Sequence, residues 1–170
     1  MWIDRVVELE TARRLVAIKN VSLAEEHLHD HFAATGAPPN IPALPVMPAS
    51  LIIEGMAQSA GILVGHAEGF REKVILAKVS RASLSCDAPA GVTVRHTATV
   101  ERMDGAGAST NGVVEFIDPT NGHAEEVGRI DLMFAHIDHN RAGVVFPEHN
   151  FVFGEQFKTL LRTSGVGIPS

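Results

Sequence analysis

Glu54 is the only charge between Ala49 and Gly65, in the run A-S-L-I-I-E-G-M-A-Q-S-A-G-I-L-V-G. A carboxylate in such an apolar wall is costly when ionised. It either meets a partner or its pKa rises, and a raised pKa is what a general acid needs near neutral pH. The alternative is a Glu that reaches solvent near the helix start, where the dipole favours negative charge. Upstream, His27, His29 and His31 stand at i, i+2 and i+4, with Glu26 and Asp30 beside them. Neutral imidazoles at that spacing can bind a transition metal, but no fixed metal motif is matched. On a strand all three would share a face, and on a helix His27 and His31 would. Acid–base work needs only one histidine, beside an apolar residue such as Phe32 that would help enclose it. His27 and His29 read as solvated loop histidines, and His66, His96 and His123 show no arrangement that points to chemistry. Cys86, the only cysteine, reads as a small core residue in an apolar strand. There is no G-x-S-x-G, Walker loop or G-x-G-x-x-G, so hydrolase-elbow and nucleotide readings have no support.

The elements that must position these groups follow from the pattern. The stretch from Pro45 to His66 suits a helix buried on most sides, with Pro48 just before it and Ser50 as its cap. Gly55, Ala57, Ser59, Ala60 and Gly61 are small and let other backbone lie close. Ile3 to Glu10 and Arg13 to Ser22 read as short strands. Ala33 to Val46 reads as an ordered loop, because prolines 38, 39, 42, 45 and 48 exclude helix and sheet interior. After the helix the period changes. Lys73 to Cys86, Val92 to Met103, Ser109 to Asp118 and Val127 to Ile137 read as four longer strands. Asp104-Gly105-Ala106-Gly107 and Asp118 to Gly122 supply turn chemistry between them. Two strands, one buried helix and four antiparallel strands make an α+β pattern, most economically a curved sheet wrapped around the helix. Residues 1–137 form this domain. The tail, 138–170, holds Phe146, Phe151, Phe153 and Phe157, with a short amphipathic helix expected over Glu155 to Arg162. It is expected to pack on the body or on a partner subunit.

The chain has 170 residues, 45% hydrophobic and 20% charged, which suits one soluble globular domain. A net charge of −6 with no basic run argues against a nucleic-acid partner. The opening M-W-I-D-R-V-V-E-L-E carries acids and does not read as a signal peptide. No run is long enough for a membrane span. One cysteine fits a reducing compartment, hence an expectation of cytoplasm.

His31, a Pro-rich loop and then P-V-M-P-A-S-L-I-I-E-G-M-A-Q resemble the 3-hydroxyacyl-[acyl-carrier-protein] dehydratases of FabZ/FabA type. Their pattern is H-F-P-G, a short loop and P-G-x-L-x-x-E-A-M-A-Q. I-D-R-V-V-E-L at Ile3 to Leu9, V-A-I-K-N-V-S at Val16 to Ser22 and D-A-P-A-G at Asp87 to Gly91 are also similar to that family. The resemblance implies the hot-dog fold, a long central helix wrapped by an antiparallel sheet. It implies a homodimer with joined sheets and active sites at the interface, with a trimer of dimers left open. By position it implies His31 as catalytic base and Glu54 as catalytic acid, from opposite subunits. It also implies the Ala49 N–H as the donor to the thioester carbonyl and Gln58 as a supporting residue behind Glu54. Phe32, Met47 and Pro48 would border the substrate. Glu at position 54 with Gln58 leans toward the FabZ branch.

The implied activity is hydro-lyase chemistry, 3-hydroxyacyl thioester to trans-2-enoyl thioester, in fatty-acid or related lipid biosynthesis. It needs no metal and no cofactor beyond the phosphopantetheine that carries the substrate. The partner would be acyl carrier protein or a CoA thioester, with Arg71, Lys73, Lys78 and Arg81 as candidates for a basic docking patch. The alternatives are another hot-dog thioester activity, thioesterase or enoyl-CoA hydratase, and a non-catalytic acyl-binding homologue. Three departures stand out. H-F-P-G is H-F-A-A here, at His31 to Ala34; P-G is P-A, at Pro48 and Ala49; and His31 and Glu54 lie 23 positions apart.

Overall fold

A computed structural model of the chain describes residues 1–137 and 152–167. In chain order the elements are β1 (Arg5–Glu10), β2 (Arg14–Asn20), the one-turn α1 (Glu26–His29) and β3 (Val46–Met47). Then come α2 (Ala49–Ala67), β4 (Val74–Leu84), β5 (Ala88–Pro89), β6 (Thr93–Asp104), β7 (Gly107–Ile117), β8 (Ala124–His136) and α3 (Glu155–Thr163). Six strands make one antiparallel sheet in the order β1-β2-β6-β7-β8-β4. The sheet wraps around α2, which packs against β2, β4, β6, β7 and β8. This is the hot-dog arrangement, α+β with one central helix. Val46–Met47 and Ala88–Pro89 add a two-residue ladder at the start of α2.

Burial explains why α2 is apolar almost all round: among its residues only Ser50 and Glu54 are exposed. Ile52, Met56, Ala60 and Leu63 are fully buried, as are Val94, Ala98, Val114 and Ile130 of the sheet. Each buried Leu, Ile or Met stabilises the fold by about 1.5–3 kcal/mol relative to an exposed one. Gly55 marks a close approach of β6 and the N-terminal segment to the helix. A Cβ there would lie 2.6 Å from His96 Nε2 on β6 and 2.8 Å from the Trp2 carbonyl oxygen. Next to the helix, the segment from His31 to Pro45 has no helix or strand, as its prolines require. It is closed on itself: Thr35 Oγ1 donates to the Pro39 carbonyl (2.8 Å) and accepts from the Ile41 N–H (2.9 Å).

Lys19 is the buried cation that ties the histidine-bearing segment to the sheet. Its ammonium reaches Asp4 Oδ1 (3.0 Å) and Glu25 Oε1, just ahead of α1. Burial works against that charge, but the hydrogen bonds from Glu25 and Asp4 hold its pKa above the usual lysine value. At the other end of the chain, α3 packs against β1. Ser164 Oγ accepts the Val6 N–H (3.0 Å), so this segment satisfies a donor on the sheet's edge strand. Phe153 is buried over Gly65, at 4.9 Å from Phe70 and 5.8 Å from Phe157 between ring centroids. Phe146 and Phe151 lie outside the described residues.

Two sequence expectations need correction here. Cys86 is exposed, because β4 ends at Leu84 and leaves it in the turn that follows. Ser50 is not the cap of α2: the helix begins at Ala49, Pro48 occupies the cap position, and no side chain of that residue bonds the helix end.

Candidate active site

Glu54 and Gln58 sit one turn apart on α2, so both side chains leave the same face. Gln58 Nε2 donates to Glu54 Oε1 at 3.0 Å, while Gln58 Oε1 accepts the Trp2 N–H at 2.9 Å. The Trp2 N–H can meet only the amide oxygen. That fixes which way the Gln58 amide points and aims its NH2 at the carboxylate. Sequence spacing places Gln58 beside Glu54, and the third member, Trp2, comes from 56 residues away. Glu54 itself is exposed in the single chain. The expectation of a buried carboxylate is therefore not met within one copy. The sheet covers the opposite side of α2 and leaves this side at the molecular surface.

His31 follows α1 and is half-buried. Its Nδ1 lies 2.7 Å from the Leu28 carbonyl oxygen, and Leu28 is fully buried. A carbonyl only accepts, so Nδ1 carries the hydrogen and Nε2 presents a lone pair. A general base needs that tautomer. Phe32 does not enclose it: this ring is 92% exposed, because the long loop that follows brings no packing partner over it. His27 and His29 diverge. His27 packs edge-on against Trp2 with ring centroids 5.1 Å apart, and His29 Nδ1 faces Asp30 at 3.1 Å. The one-turn helix separates the alternating histidines, and among the described residues no group of three metal-ligating side chains assembles.

At the start of α2, Met47 is fully buried, in register with Ala88, so it supports the site from beneath. Pro48 is half-buried with extended backbone. The Ala49 N–H points at the carboxylate of Asp87, 2.7 Å away. Asp87 thus does the capping work that Ser50 does not, with a negative charge at the positive end of the helix. It also occupies the very donor expected to hold a thioester carbonyl. Only the D-A-P-A-G turn hints at Asp87 in the sequence, and nothing local predicts a contact across 38 positions. Of the basic candidates, Arg81 is paired with Asp131 at 3.7 Å, and Arg71 Nε donates to the Glu68 carbonyl at 3.2 Å.

Along the same face of α2 runs a groove of about 230 Å³. Glu54 and Gln58 stand at one end and Gly61 further along. Leu76 and Phe134 form the opposite wall, and Phe153 lies at the far end. The site therefore offers a positioned carboxylate, a surface imidazole in the base tautomer and an apolar channel beside the carboxylate.

The chain is similar to known proteins in sequence and in fold. The FabA-like domain family matches residues 1–87. The 3-hydroxyacyl-[acyl-carrier-protein] dehydratase FabZ of Solibacter usitatus is 36% identical over 123 residues, covering 67% of this chain and 69% of that protein. The FabZ of Magnetococcus marinus is 46% identical over 68 residues, 40% of this chain. That match spans 39% of the Magnetococcus protein, and a match to the Campylobacter concisus FabZ spans 49% of its length. Among solved structures, the acyl-CoA hydrolase of Staphylococcus aureus in complex with butyryl coenzyme A superposes with a TM-score of 0.57. It is 12% identical and covers 93% of this chain and 87% of that one. At that identity it speaks to the fold alone.

Proposed function

The chain belongs to the FabA-like domain family, and from that premise we propose that it removes water from a 3-hydroxyacyl thioester to give the trans-2-enoyl thioester. The observation that carries this reading is the His31 ring, whose Nδ1 is committed to the Leu28 carbonyl and whose Nε2 is left as a base. His31 Nε2 takes the proton from C2 of the substrate. The C2–H electrons form the C2=C3 bond, the C3–O bond breaks, and Glu54 of a second copy gives its proton to the departing hydroxyl, which leaves as water. His31 then returns a proton to Glu54 through solvent before the next turnover. Gln58 holds Glu54 in place. The Ala49 N–H stabilises the enolate oxygen once it exchanges Asp87 for the thioester carbonyl. No cofactor enters, and the substrate arrives on a phosphopantetheine arm of acyl carrier protein or coenzyme A.

A homodimer fits the same reading. β4 is an eleven-residue edge strand, and Leu76, Val79 and Met133 are each more than 40% exposed on it and on its neighbour β8. A second copy pairing at this edge would cover these side chains, join the two sheets and take Glu54 out of water. Among the described residues, no helix is long and apolar enough to cross a membrane, and the proposed place of action is the cytoplasm.

The test is turnover of 3-hydroxyacyl and enoyl thioesters, followed by enoyl absorbance, on the parent chain, His31→Ala and Glu54→Gln. Each substitution is expected to cost on the order of 10²-fold or more in rate. Release of free thiol without enoyl product would replace this reading with thioester hydrolysis.

A further inference from the structure

The groove beside Glu54 is polar at one end only. Glu54 and Gln58 stand there, and beyond them the lining is Ala57, Gly61, Phe134 and the C-terminal aromatic residues. From Glu54 to Gly61 the helix advances about 10 Å at 1.5 Å per residue. The small side chains of Ala57 and Gly61 leave that length open, and Phe153 ends it. Its ring sits so close over Gly65 that a Cβ on that glycine would lie 2.4 Å from Cζ. Phe70 and Phe157 hold the ring edge-on from two sides, and Phe153 is only 6% exposed. It is therefore a fixed wall rather than a side chain free to swing aside.

The geometry points to Phe153 of the C-terminal segment, backed by Phe157, as the stop that sets the acyl-chain length this site takes. The inference rests on the dehydratase reading for the identity of the head group, which places C3 of the substrate at Glu54. The chain that follows has nowhere polar to go and lies along Ala57 and Gly61 toward the ring. A void of roughly 150 Å³ takes a six-carbon ring. By that measure the groove, at about 230 Å³, takes a chain of roughly nine carbons. Phe153 is thus a specificity-determining residue supplied from outside the segment that carries His31 and Glu54.

Two measurements on the full chain decide this. The first is the dissociation constant of S-alkyl pantetheine thioethers of increasing chain length, which can be neither dehydrated nor hydrolysed. The second is kcat/KM for the matching 3-hydroxyacyl pantetheine thioesters. Affinity should rise about fourfold per methylene until the chain meets Phe153, and then stop rising. In Phe153→Ala the rise should continue for several more carbons. Gly61→Ala guards against a folding defect, since its Cβ would sit 3.7 Å from Phe134 Cε1, an ordinary contact, and alanine favours the helix. That variant narrows the groove, and its rise should end earlier. An unchanged cut-off length in both variants overturns the stop, whatever the turnover. A cut-off that moves in both supports it, even where no thioester is dehydrated, in which case the dehydratase reading alone fails.

Discussion

His96 offers the sharpest test of the packing beneath the site. It is fully buried on β6, and neither ring nitrogen has a hydrogen-bond partner among the described residues. Desolvation pushes its pKa down to about 4 from an ordinary 6.5. The folded chain therefore keeps this ring neutral, while the unfolded chain protonates it below 6.5. Between those two values the unfolded state holds the extra proton. The contribution is fully present above pH 6.5 and is lost as pH falls toward 4. Worked through, His96 should cost about 2 kcal/mol of stability between pH 7.5 and pH 5. His96→Leu keeps the bulk, removes the titration and should flatten that part of the profile. The assay is urea unfolding at the two pH values and one protein concentration, followed by Trp2 fluorescence. Asp104, Asp118, Glu126 and Glu155, whose pKa values are held low by their hydrogen bonds, titrate alike in both proteins and drop out of the difference. If parent and His96→Leu lose the same stability on acidification, the ring is not sealed from water and the reasoning is wrong.

Gly55→Ala should destabilise by roughly 1–3 kcal/mol, because its Cβ meets His96 and the Trp2 carbonyl below 3 Å; an unchanged Tm in thermal unfolding would contradict this. Gln58→Leu should lower kcat on the order of 10-fold with little change in KM, since it frees Glu54 without touching the groove's depth. A loss confined to KM would count against the positioning role. Asp87→Ala should cost about 1 kcal/mol as the cap of α2 is lost, yet raise kcat/KM because the Ala49 N–H no longer has a competitor. A fall in kcat/KM in a folded variant would mean that Asp87 takes part in the reaction.

Local pattern carries the elements well. The strand expected over Val92–Met103 is Thr93–Asp104, and the tail helix expected over Glu155–Arg162 is Glu155–Thr163. Alternation, helical periodicity, and Gly and Pro punctuation act over a few residues, so they are readable in order along the chain. The ladder of Val46–Met47 with Ala88–Pro89 is too short to show any period, and α1 is a single turn. The i, i+4 relation of Glu54 and Gln58 is likewise a property of the sequence, because any helix there puts them side by side.

What each of those groups faces is a different matter. The apolar run around Glu54 suggests burial, but the sheet covers only the other side of α2, and Glu54 stays at the surface of the single chain. The His31 tautomer follows from where the Leu28 carbonyl points. The orientation of Gln58 follows from an N–H 56 residues away, the cap of α2 from a carboxylate 38 residues away, and the end of the groove from a ring in the tail. The sequence by itself determined the hot-dog elements and which residues stand at the chemically suggestive positions, because those depend on neighbours along the chain. Only the tertiary structure decided burial, hydrogen-bond partners and the length of the groove, because these depend on which distant segments the wrapped sheet brings against the helix.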